Sequence, residues 1–136
     1  MANQLYTKAK EDLLRGNLNL QSNTITIILV DTFNAAHEDR ADIPNTAVVS
    51  SNNLISKTTT GGVFDAGDVI FESVTGANCE ALILYHNTGA AETTAARQAD
   101  SRLIAYIDTA SGLPILPNGG DITVRFSNAS TKIFAL

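Results

Sequence analysis

The feature that most constrains this chain is a series of short runs rich in β-branched, aliphatic and aromatic residues, each cut off by a turn signal. From residue 46 onward "AVVSS", "NLISKTTT", "GVFDAGDVIFESV", "CEALILYH", "RLIAYIDT", "DITVRF" and "TKIFAL" follow one another. Between them stand Gly61-Gly62, Gly67, Gly76, residues 87–89, Ser111-Gly112 and residues 118–120, the residue types that reverse a chain with least strain. About eight short strands of this kind make a β-sandwich or flattened barrel rather than an α/β fold.

Ahead of these runs, "TITIILVDT" at residues 24–32 begins as an alternation and turns continuously apolar at 27–30. That pattern predicts a central strand buried on both faces. Residues 3–15 carry Leu5, Ala9 and Leu13 at four-residue spacing, with Tyr6 and Leu14 widening the face. The spacing predicts a helix, with Gly16 placed to cap its C-terminus. The polar piece "FNAAHEDRADIPNT" is read as a connection between strands, with at most one or two helical turns. The chain is therefore one domain over residues 1–136, with an N-terminal helix over 1–16 and a β-rich body over 24–136.

With 44% hydrophobic and 17% charged residues, the chain can build a core. Nine basic residues against fourteen acidic give a net charge of −5, and the basic residues form no stripe. Nucleic acid is thus not an expected partner. A single cysteine, Cys79, leaves no intramolecular disulfide, so packing alone must hold the fold, which suits a reducing compartment. Cys79 is read as a small buried apolar group. No membrane span is expected, because apolar runs such as "IILV" are far short of the roughly 20 residues a spanning helix needs. The opening residues mix charged and apolar positions and carry no secretory pattern, so synthesis in the cytoplasm is expected.

Chemistry-bearing residues are sparse. His37 and His86 stand at no ligand spacing, and no metal or cofactor is expected. "HED" at 37–39 sits in a polar connection where adjacent side chains diverge. Asp31 and Asp108 each close a strand, and Asp65 and Asp68 in "FDAGD" lack the distal Glu of a calcium loop. No phosphate-binding glycine loop and no nucleophile elbow occurs. The expectation is that this is not an enzyme. The long interval "NTGAAETTAARQAD" at 87–100 is either an arm that orders against a neighbour or a mobile loop. "GDVIFES" at 67–73 and "GDITVRFS" at 120–127 echo one another, each a Gly-Asp turn feeding a strand.

Several segments resemble a family of small tailed-bacteriophage virion structural proteins. They are "LYTKAKEDLLRG", "ITIILVDT", "DIPNTAVVSSNNLISKTTTGGVFDAGDVIFESVTG", "EALILYHNTG" and, most specifically, "LIAYIDTASGLPILPNGGDITV". The resemblance implies a component of the virion. By size and β-rich character the analogy is to a capsid decoration, or cement, protein, a homotrimer bound to the major capsid protein on the capsid surface. A neck, tail or spike component, or a carbohydrate- or receptor-binding module, stays open as an alternative. Leu113, Ile115 and Leu116, between Pro114 and Pro117, cannot form a regular central strand. They are either an oligomer or capsid interface or a proline-bounded edge packed on its own core. Ile133, Phe134 and Leu136 are expected to be tied into a sheet, of this chain or of a neighbour.

Overall fold

A computed structural model describes residues 4–32, 34, 36–87, 101–107, 115–126 and 133–135. Its elements are β1 (Gln4–Leu5), α1 (Thr7–Arg15), β2 (Ile25–Val30), β3 (Val48–Asn53), β4 (Val63–Phe64), β5 (Val69–Phe71), β6 (Ala81–His86), β7 (Leu103–Ile107), β8 (Ile122–Val124) and β9 (Phe134–Ala135), with short 3-10 turns at Arg40–Asp42, Asn45–Ala47 and Thr60–Gly62. The protein is mainly β, with one helix near the N-terminus and no closed barrel among the described residues.

Five strands form an antiparallel sheet in the order β1-β7-β6-β2-β3. All six residues of β2 are buried, as a central strand requires. Alternation along β2 puts Ile25, Ile27 and Leu29 on one face and Thr26, Ile28 and Val30 on the other. Since both sets are dry, both faces are covered. Leu84 pairs with Ile27 from β6, and Ile83 with Ile28, so each face carries an aliphatic row across strands. Each such side chain contributes about 1.5–3 kcal/mol relative to exposure.

The two faces are covered by different means. On the Thr26 face lies the connection between β2 and β3: Tyr85 is paired with Thr26, and the Arg40 guanidinium stacks 6.0 Å above the Tyr85 ring. Ile43 is buried, and its carbonyl accepts a hydrogen bond from Arg40 Nη1 at 2.9 Å. On the Ile27 side lies the ribbon formed by β5 and β8, reached by the side chain of Asn52, whose Nδ2 donates to the Ile70 carbonyl at 2.9 Å. Val69 and Phe71 turn inward from β5 while Ile70 between them is exposed. The outcome is sandwich-like, a broad sheet faced by a narrow ribbon. The two segments that echo one another in sequence are the two halves of that ribbon, with Val69 opposite Val124 and Phe71 opposite Ile122.

The edge of β7 turned away from β6 is shared by two short segments. β1 pairs with one half, and residues 38–40 with the other, through Leu103 N–H to the Glu38 carbonyl (3.0 Å) and Arg40 N–H to the Ser101 carbonyl (2.8 Å). The polar connection thus also serves as an edge strand, which its composition does not announce.

Other expectations need adjustment. The helix begins at Thr7, because Gln4–Leu5 pair with β7 and the extended Tyr6 ends that pairing with its N–H on the Ile104 carbonyl, 2.8 Å away. Gly16 caps the helix in the left-handed region at φ 77. "NLISKTTT" is not a strand of its own. Leu54 closes onto Ile25, Ser56 takes a positive φ of 54, and Thr58 makes one isolated bridge to Asp65. Phe134 pairs with Phe64, which ties β9 into this chain's own structure. Leu136 and residues 88–100 lie outside the described residues.

Candidate functional site

The interface candidates separate in the structure. Ile115 makes a two-way backbone bridge with Cys79, Cys79 N–H to the Ile115 carbonyl at 2.7 Å and the reverse bond at 2.9 Å. Its half-buried side chain packs against the core. Alternation then turns Leu116 the other way, and it is 74% exposed. The segment therefore divides: Ile115 is an edge packed on this chain's own core, and Leu116 is an outward apolar side chain. Leu113 lies outside the described residues. Leu14, Ile55 and Ile70 are the other large exposed aliphatics among the described residues.

A second cluster is polar and was not legible from spacing. Arg102, at the start of β7, donates from Nη1 to Asp39 Oδ1 at 3.0 Å, and its Nε lies 3.6 Å from Asp12 Oδ2 on α1. One guanidinium thereby joins the helix, the sheet edge and the β2–β3 connection. Burial raises the Asp39 carboxyl above the ordinary value, with Arg102 opposing it and Asp42 and Glu38 adding to it. Asp42 is the opposite case. Its Oδ2 accepts the N–H of Glu38 (2.8 Å) and of Asp39 (3.1 Å), and these bonds hold it low, with His37 a smaller contributor.

The remaining sequence candidates do not converge. The His37 N–H bonds the Asn34 carbonyl, while Asp39 turns to Arg102. Desolvation lowers His86 against a weaker pull from Asp12. Asp31 takes the Ala47 carbonyl on its N–H and raises the Cys79 thiol, though less than burial does. Asp65 belongs to the Thr58 bridge, and Asp108 lies outside the described residues. Among the described residues no three His, Cys, Asp or Glu side chains group as metal ligands would.

Two further places stand out. The Tyr6 ring meets Tyr106 edge-on at 5.3 Å, and its hydroxyl is buried with no hydrogen-bond partner among the described residues. Burial raises its pKa. An apolar cavity of ≈ 340 Å³ opens where the end of α1 faces β4, lined by Leu13, Leu18, Leu20, Val63 and Phe64 together with the polar Asn19 and Thr59.

No protein-family model matches this chain, and no curated protein is significantly similar to it.

Proposed function

We propose that this chain is a structural protein of a tailed-bacteriophage particle, a decoration or cement protein that binds the major capsid protein as a symmetric oligomer, a trimer by analogy. The reading rests on the resemblance described above and on one observation. Within the segment that carries the resemblance most specifically, Leu116 is 74% exposed beside an Ile115 that is anchored to Cys79. A rigidly backed apolar side chain suits a contact made many times over a lattice, where weak individual contacts add through avidity. Function on this reading lies in surface complementarity and requires no reacting group.

The test is co-sedimentation of the purified protein with particles stripped of it. Wild type should pellet with the particles, and Leu116→Asp should stay in the supernatant with its thermal transition unchanged. Wild type left in the supernatant, or equal pelleting of the variant, would remove the proposal or its contact residue respectively.

A further inference from the structure

The sequence contains one Asn-Gly pair, Asn118-Gly119, and the structure places it in an exposed turn with distinctive hydrogen bonding. The Gly120 N–H donates to Asn118 Oδ1 at 3.0 Å. That bond fixes the side-chain amide and polarises its carbonyl carbon towards attack. Gly120 permits it by having no side chain, since a Cβ there would lie 3.1 Å from the same oxygen. The neighbouring nucleophile, the Gly119 backbone nitrogen, is held elsewhere. It donates to the Val74 carbonyl at 2.7 Å, with Gly119 at φ 89, and Val74 returns a bond to the Gly120 carbonyl at 3.0 Å. Asp121 completes the clamp by accepting the Ser73 N–H at 2.9 Å.

We propose that Asn118 is a self-modification site, a deamidation centre gated by the end of the β5–β8 ribbon. When the clamp opens, the Gly119 nitrogen gives its proton to water or hydroxide and attacks Asn118 Cγ. A C–N bond forms, and the side-chain nitrogen leaves as ammonia, producing a succinimide. Water opens that ring at either carbonyl to give aspartate or isoaspartate. The net change consumes one water, releases one ammonia and involves no oxidant. While the clamp is closed the nucleophile is engaged, so the rate reports the fraction of time the ribbon end is open. The isoaspartate product favours the open form, because it lengthens the main chain by one methylene inside the turn.

The experiment is incubation of the full-length protein in mildly alkaline buffer, followed by peptide mapping and isoaspartate detection. Asn118 should convert ahead of every other asparagine in the unfolded chain. In the folded protein it should convert more slowly, on the order of tenfold or more for opening the three hydrogen bonds of the clamp. Asp121→Ala should raise the folded rate several-fold towards the unfolded rate and leave the unfolded rate unchanged. Equal rates in folded and unfolded wild type, or no change in Asp121→Ala, would overturn the gating. As a measurement free of any variant, hydrogen exchange at the Gly119 amide should rise in parallel with deamidation across low urea concentrations. Exchange that rises while deamidation does not would equally refute it.

Discussion

Replacing Arg102 with methionine removes the guanidinium and keeps most of the side chain's volume. Two contacts are lost, the 3.0 Å bond to Asp39 and the 3.6 Å ion pair with Asp12. At these separations the gross attraction is about 4 kcal/mol per pair in a partly screened setting. Arg102 is about a third exposed (34%) and Asp12 and Asp39 are partly exposed (16% and 22%), so solvent removes most of that. The Asp39 carboxylate, which burial already disfavours, would keep its charge without the compensating donor. The net cost expected for Arg102→Met is about 1–2 kcal/mol. In urea that lowers the midpoint by about 0.5–1 M, and on heating the transition falls by about 3–8 °C. A double-mutant cycle apportions the loss: Asp39→Asn should couple to Arg102→Met by about 1 kcal/mol, and Asp12→Asn by less, its contact being longer. An unchanged midpoint would refute the reasoning. So would a full Arg102→Met cost in the Asp39→Asn, Asp12→Asn background, which would assign the effect to packing.

Other expectations follow from single residues. Gly16 sits at φ 77 with open space around its Cα, so Gly16→Ala should cost about 1 kcal/mol through backbone strain alone, read as a lower midpoint at unchanged slope. The folded-state pKa of Asp42 is depressed below 3.8. Its stabilisation is therefore present above the unfolded value and lost as pH falls through the folded one. Asp42→Asn should flatten the fall in thermal stability as the pH drops below the ordinary carboxylate range, and an unaltered profile would contradict the assignment. The Cys79 thiol is buried and raised by burial. A thiol reagent should label it at the rate of unfolding, and immediate labelling of the folded protein would show that the Ile115 bridge does not seal it.

How much of this was legible in the sequence depends on the kind of residue. β2 was readable because a β-branched, doubly apolar run has few alternatives to a central strand, and Gly16 because helix ends favour glycine at positive φ. The echo between the two Gly-Asp segments was visible, yet nothing in it indicated that they pair with each other, since pairing between residues fifty apart is set by the whole sheet. The Arg102 cluster was hidden for the same reason: Asp12, Asp39 and Arg102 belong to three separated segments. Residues 38–40 looked like a loop because edge strands need backbone groups more than apolar side chains. Of the proposed contact residues, the prolines signalled irregular backbone, but only the Cys79 bridge assigns Ile115 inward and Leu116 outward.

Whether the protein binds the capsid lattice, as proposed, is decided by counting its copies. Quantitative mass spectrometry of gradient-purified particles gives the copy number of this chain relative to the major capsid protein. A decoration protein should be present at a ratio of the order of the lattice itself. A handful of copies per particle would contradict the decoration assignment and move the chain to the neck, tail or spike, and absence from the particles would contradict a virion role altogether.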